Sequence, residues 1–455
     1  MSGARISNTR RRLARLCLAA TVVGCIAISF QLFGIDNPDN VVEARERRRS
    51  SGGSGGSSET YTVLGFNDLG MHCMNPEFSE MCILPPFNTL RAQVIKRDSS
   101  PNILTGDLNV HYSIPGNTVS SNKTNFWQYT QQLFGVTLPN NVGLTGNGLT
   151  GQLESQRGGY WEATGIPVTP LDDNGVNNPF QLARIEVTNE KGNKLAETAA
   201  VVPVSWEINC TFCHNTVGIS VATDILKAHD RLHGTTLELE KPVLCAKCHA
   251  DPALGTEGVP GLSTFSHAMH GSHASRMTVQ TVLDASARVQ AALAQLDPQI
   301  AAPLLQENAA REAAGVATMT TNSCYACHPG AQTECQRDVH ITHDITCVDC
   351  HGGMSAVADE DRVPWKSLPT CGECHKKMNS RFDYEEPGKL FKDSRGHGGI
   401  YCSSCHGPQH ATGPAVTAND NAQAILWQGK AGTIDTCTVC HTRQPEERFF
   451  HSRDK

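Results

Sequence analysis

Seven short segments of the chain repeat the order Cys-x-x-Cys-His. They open at Cys210, Cys245, Cys324, Cys347, Cys371, Cys402 and Cys437. Their second cysteines are Cys213, Cys248, Cys327, Cys350, Cys374, Cys405 and Cys440, each followed directly by His214, His249, His328, His351, His375, His406 or His441. This is the attachment pattern of c-type haem. The two thiols form thioether bonds to the macrocycle, and the adjacent imidazole is placed to ligate iron from one side. The rival chemistry is a set of zinc ribbons built from paired C-x-x-C units. Zinc has no need of a histidine straight after every second cysteine, and histidine makes up only 19 of 455 residues. Seven covalent haem c groups are therefore the expected cofactors, and no other metal is predicted.

A second axial ligand is needed if each iron is to be six-coordinate. Twelve histidines remain: His72, His111, His229, His233, His267, His270, His273, His340, His343, His397, His410 and His451. Ten of them fall beyond residue 209, so bis-histidine ligation is the expectation. Met269 and Met354 are alternatives that would raise the potential of their haem. "KAHDRLHG" puts His229 and His233 on one face if helical, and "SHAMHGSH" spaces His267, His270 and His273 at three-residue intervals. His229, His233, His267 and His270 are taken as distal ligands. In "DVHITHDITCVDCHGG", His343 stands only three residues ahead of Cys347, too close to reach round its own haem. His340 has the longer tether and is favoured as a ligand for a different haem. The plain alternative for any single spare histidine is a surface or propionate-binding residue. No catalytic residue is required.

These motifs need elements to hold them. Motif starts lie 35, 79, 23, 24, 31 and 35 residues apart. Residues 209–455 contain all seven and form the expected heptahaem domain, with little regular structure and the haems themselves as core, since only 6% of residues are aromatic. A helix is expected where Val279, Val282, Leu283, Val289, Leu293 and Leu296 recur at helical spacing, with an Ala-rich helix at about 301–316. Residues 59–208 lack the motif. The stretches 61–66, 90–97, 108–114, 183–189 and 198–208 are β-rich and separated by Gly, Asn and Pro, which predicts an antiparallel, sandwich-like β domain with a hairpin turn at 189–194. Residues 36–58 read as a Gly/Ser-rich linker. Residues 1–35 combine a basic flank with an apolar run at 16–33, a signal peptide or membrane anchor. "VVGC" ending at Cys25 offers a lipidation site, but the apolar run continues past it. Each option exports the body of the protein to the periplasm or cell surface, and membrane contact would run through the N-terminus.

Charge narrows the partners. Nine of the 38 Lys/Arg and four of the 45 Asp/Glu fall in the first 57 residues, which leaves residues 58–455 with 29 and 41, a net charge of −12. An acidic body excludes nucleic acid as a natural partner.

"VLCAKCHADPALGTEG", "CYACHPGAQTEC", "HGGIYCSSCHGPQHA" and "NDNAQAILWQGKAGTIDTCTVCH" resemble the exported multihaem c-type cytochromes of bacteria that serve respiratory and extracellular electron transfer. The resemblance covers about residues 206–455. It implies distal ligation by His397 of "GHGG", His410 of "GPQHA" and His451 near the C-terminus. "GFNDLGMHCMNPEF" at 65–78 is similar to a segment of the same class. It reads as a structural loop, with a Cys73–Cys82 disulfide as one option and ligation by His72 as another. The expected function is electron transfer between redox proteins or to an extracellular acceptor, with self-assembly into a haem chain left open. The alternative is a multihaem reductase or oxidase of small nitrogen or sulfur compounds, which needs one iron with an open side.

Overall fold

The computed structural model describes residues 60–274, 276, 323–330, 333–446 and 451. The N-terminal segment, the linker and the helices expected at 279–296 and 301–316 lie outside the described residues. Among the described residues no helix is long and apolar enough to cross a membrane.

The strands are β1 (Tyr61–Phe66), β2 (His72–Cys73), β3 (Met81–Cys82), β4 (Leu90–Lys96), β5 (Asn102–Leu104), β6 (Leu108–Ser113), β7 (Thr150–Gln156), β8 (Tyr160–Ala163), β9 (Phe180–Asn189), β10 (Lys194–Ser205) and β11 (Val243–Leu244). Nine of them make one sheet in the order β1-β4-β8-β7-β6-β9-β10-β2, with β5 added beside β4; β11 and β3 pair separately. The expected sandwich of two sheets is thus replaced by a single mixed sheet, curled into a half-barrel. The curl brings β1 over β9 and β10. A Cβ at Gly65 would collide with Ile185 and Ala200, so only glycine lets the walls approach this closely. The sheet is mixed because β2 joins β10 in parallel, Val204 opposite His72 and Ser205 opposite Cys73. The hairpin expected at 189–194 joins β9 to β10. Gly192 takes φ 78°, and the Asn189 side chain accepts from the N–H groups of Lys191 and Asn193 at 3.0 and 2.9 Å.

Burial along the strands shows what each face meets. In β9, Gln181, Ala183, Ile185 and Val187 are buried in strict alternation, the mark of a sheet covered on one side. In β1 and β4 the alternation is lost. Val63, Leu90, Ala92 and Val94 enter the main core, while Leu64 and Ile95 turn the other way onto Ala424, Ile434 and Val439. Successive side chains of a strand point to opposite faces. The second face of β1 and β4 is therefore covered by the C-terminal segment that carries the last two Cys-x-x-Cys-His motifs. Hydrogen bonds join the same parts: the Trp427 indole donates to the Val63 carbonyl at 3.0 Å, and Thr62 Oγ1 to the Val439 carbonyl at 2.5 Å.

Three helices matter below: α1 (Phe126–Phe134), α2 (Val221–His233) and α3 (Phe265–Ala274). α1 packs Phe126, Trp127 and Leu133 into the sheet core. α2 starts at Ser220, whose side chain accepts from Thr223 N–H, and stops at Gly234 in the left-handed region. Cys73 and Cys82 are free thiols rather than a disulfide, because β2 and β3 carry them to different sheets.

Candidate haem-binding cavity

Each motif folds as one helical turn. The histidine N–H donates to the first cysteine's carbonyl at 2.9 Å in 210–214, 3.1 Å in 245–249, 2.9 Å in 324–328 and 2.9 Å in 437–441. The motifs at 347, 371 and 402 begin the short α-helices Cys347–His351, Cys371–Met378 and Cys402–His406. Thr346 with Asp349, and Thr370 with Glu373, form capping boxes at two of them. Positions i, i+3 and i+4 of such a turn share a face, so the spacing presents both thiols and the imidazole to the same side.

That side opens on a single cavity of about 3160 Å³. A pocket for one small ligand or cofactor measures about 300–1,000 Å³, so this space is several times a single site. All seven cysteine pairs and all seven motif histidines line it, together with every spare histidine except His111.

The histidines meet in pairs across it. His229 lies 6.5 Å from His249, ring centre to ring centre; His270 lies 6.2 Å from His328, and His340 5.9 Å from His375. His410 is 6.1 Å from His351, His397 6.1 Å from His441, and His451 5.7 Å from His406. Two imidazole–metal bonds of about 2.0–2.1 Å, plus the roughly 1 Å radius of each ring, put ring centres about 6 Å apart across one metal. The observed separations match that span. The seventh motif histidine, His214, is lowered in pKa by burial, and the charge of His273 nearby lowers it further. Six histidine pairs thus have the spacing of a bis-histidine haem, and His273 is the candidate second ligand at the seventh.

The rings are also oriented. His270 and His273 each tie Nδ1 to the carbonyl four residues back, Ser266 and Met269, at 2.7 Å. His249 Nδ1 meets the Ser263 carbonyl at 2.9 Å, His441 that of Ser99 at 3.3 Å and His451 that of Asp383 at 3.3 Å. His229 Nδ1 donates to Thr235 Oγ1 at 2.9 Å, whose own proton goes to Asp230 at 2.6 Å. His340 Nδ1 meets the Asp338 carboxylate at 2.8 Å. A second-shell bond at one ring nitrogen fixes the tautomer and aims the other nitrogen. Burial holds the pKa of His328, His406 and His410 down at about 4, which keeps them in the neutral form that ligates.

Among the sequence-predicted ligands, His229, His270, His340, His397, His410 and His451 face motif histidines. His233 is exposed one turn beyond His229, 4.8 Å from it, and His267 sits one turn before His270; among the described residues neither ring meets a motif histidine. His273, left out of the predicted set, stands near His214. The regular spacing of "HAMHGSH" was the available clue: on a helix, His270 and His273 are neighbours on one face. His72 is buried and gives Nε2 to the Pro85 carbonyl at 2.8 Å, which uses the nitrogen a ligand would need. His111 lies in β6, away from the cavity. His343 is exposed on the cavity rim.

Contacts between motifs follow a row that differs from chain order. Asn209 N–H donates to the Cys327 carbonyl at 3.3 Å, linking the first and third motifs, while α2 leads from the first to the second. Cys324 and Cys347 are hydrogen-bonded. Tyr384 lies 6.4 Å from His375 and 6.2 Å from His451, between the fifth and sixth motifs. Ile434 N–H donates to the Cys405 carbonyl at 2.9 Å, joining the sixth to the approach to the seventh. His340, in the approach to the fourth motif, meets His375 of the fifth at 5.9 Å, so the row reads second, first, third, fourth, fifth, sixth, seventh.

The chain finds no counterpart. Comparison with protein-family models, with curated proteins and with solved structures gives no match. Among the described residues no group of three or more His, Cys, Asp or Glu side chains converges to hold a bare ion. Haem asks for something else, two ligands on opposite faces of a flat group, and that is the arrangement of the histidine pairs.

Two further contacts brace the cavity against the sheet. Gln93 of β4 donates to the Gly159 and Gly399 carbonyls at 3.1 and 3.2 Å, and its oxygen accepts from Tyr401 N–H at 2.8 Å and Ser404 Oγ at 2.9 Å, at the start of the sixth motif. Arg337 is fully buried. Its Nε and Nη2 reach Asp420 at 2.6 and 3.1 Å, its Nη1 reaches the Gly70 carbonyl at 2.8 Å, and its guanidinium covers the Phe180 ring at 4.8 Å.

Proposed function

We propose that the protein transfers electrons through seven covalently bound c-type haems, each held between two histidines. The observation that carries this reading is the placing of all seven motifs around one cavity, with six of their histidines each about 6 Å from a different second histidine. When bound, each haem supplies one-electron exchange at its iron. The chain's own residues do the rest. Each cysteine pair tethers one edge of a macrocycle. Each histidine pair fixes its plane, and the Nδ1 anchors fix the histidines. Leu64, Ile95, Ile103 and Leu244 line the cavity with apolar surface and keep water from its walls. A motif histidine with no partner would favour the reductase reading; six have one at about 6 Å, and His273 is the candidate for His214. The protein is read as exported, through residues 1–35, with other redox proteins or an extracellular acceptor as partners.

Intact mass after acid–acetone extraction should exceed the polypeptide by seven haems, and low-temperature electron paramagnetic resonance of the oxidised protein should show low-spin iron throughout. Fewer than six retained haems would overturn the heptahaem reading. Seven haems with one stoichiometric high-spin signal would replace electron transfer with catalysis at an open iron.

A further inference from the structure

Arg362 closes the acidic run Asp359-Glu360-Asp361-Arg362. The three acids are exposed, while Arg362 turns from them into the cavity. Its Nη1 donates to Ser266 Oγ at 3.1 Å, one turn from His270, and its N–H donates to the Asp359 carbonyl at 3.2 Å. Among the described residues it makes no ion pair. Ser266 lies on the helix that carries His270, at the third motif's haem site, and the segment that ends at Arg362 follows the fourth motif directly, with Ala358 packed against Gly271. Those motifs are neighbours through Cys324 and Cys347.

A partly buried guanidinium without a counter-ion is costly unless an anion completes it. The anion suited to this place is a carboxylate on the edge of a flat group held between His270 and His328, or between His351 and His410. Guanidinium binds carboxylate in a two-pronged fork that lysine cannot reproduce. We infer that Arg362 is a positioning residue that receives a haem propionate at the junction of the third and fourth motifs. The inference rests on the haem loading proposed above. A fixed positive charge beside the haem favours the reduced, less positive iron, so Arg362 raises the potential there.

The test is potentiometric titration of the holoprotein as wild type, Arg362→Gln, Arg362→Lys and Asp361→Asn, with haem content by mass on each. Arg362→Gln should keep seven haems and shift the midpoint of one or two of them to lower potential. Arg362→Lys keeps the charge but not the fork, so the shift should be restored only in part. Asp361→Asn, which alters an exposed charge next door, should leave every midpoint where it is in the wild type. Seven haems with unchanged potentials in Arg362→Gln would overturn the assignment and leave the proposed function standing. A full return to wild-type potentials in Arg362→Lys would show that any positive charge suffices, and that overturns the two-pronged contact. Absence of haem from the wild type would instead refute the underlying reading.

Discussion

Replacement of Arg337 by methionine keeps most of the side-chain volume and removes the charge. Arg337 has 0% exposure and its partner Asp420 is equally hidden, with 1% side-chain exposure. The substitution strands a buried carboxylate that retains only the Thr417 hydroxyl as a close partner. Breaking one half of a buried ion pair costs about 3–5 kcal/mol. Two carbonyls, Gly70 and Cys335, also lose a donor, at about 1 kcal/mol each where no water replaces it. The expected loss is about 5–7 kcal/mol, roughly four to five orders of magnitude in the folding equilibrium. The effect should reach the cavity. Arg337 N–H donates to the His410 carbonyl at 2.8 Å, and Asp338, the next residue, holds His340. Urea unfolding followed by far-ultraviolet circular dichroism measures the first effect, and carbon monoxide binding to the reduced protein the second. Arg337→Met should gain up to two binding haems. Arg337→Met combined with Asp420→Leu should recover part of the stability, since the stranded charge is then gone. A loss below about 1 kcal/mol for Arg337→Met would refute the argument that this pair clamps the cavity to the sheet.

Three other sets of substitutions test single contacts. His340→Ala should create one high-spin haem in seven with covalent haem content unchanged, while His343→Ala leaves the resonance spectrum as it is; equal effects would undo the pairing with His375. Within α3, His270→Ala and His273→Ala should each open one iron to carbon monoxide, and His267→Ala none, as read by difference spectra. In the turn between β8 and β9, burial alone would raise the Asp173 pKa, but Lys123 and the Thr118 hydrogen bonds outweigh it and hold it at about 2. A folded pKa below the unfolded value of about 3.9 means that this stability is complete above that pH and is lost as pH falls towards 2. Asp173→Asn should flatten the fall of the urea midpoint across that window, and an unaltered slope would sink the attribution.

The strands carrying most of the core were legible because their alternation is strong: Ala183, Ile185 and Val187 declare β9 without help. The curl was not, because it depends on the missing side chain of Gly65 and on β2, a two-residue strand whose only reason to exist is the edge of β10. β7, "TGQLESQ", buries only Leu153 and carries no strand pattern of its own. In the cavity, the motif residues were legible from covalent spacing alone. The distal set was legible as a pool, not as pairs. His273 and His267 are indistinguishable in sequence; what separates them is the direction each takes from α3. Arg337 and Gln93 left no trace in the sequence, since a buried arginine or glutamine looks like any surface one until its partners, hundreds of residues away, are in place.

The position of Gln93 bears on how the molecule is made. A chain synthesised from its N-terminus completes β1 to β10 before any Cys-x-x-Cys-His motif has emerged, and the main core of that sheet is built almost wholly from its own apolar side chains. It can fold without cofactor. The last two motifs then find a finished surface, with Gln93, Leu64 and Ile95 waiting to dock them. On the haem reading proposed above, the motifs between 210 and 375 have less to lean on and would take the macrocycles themselves as filler. Maturation would then have two unequal halves: a jig built from its own apolar side chains, and a cofactor-dependent arm laid onto it from the C-terminal end.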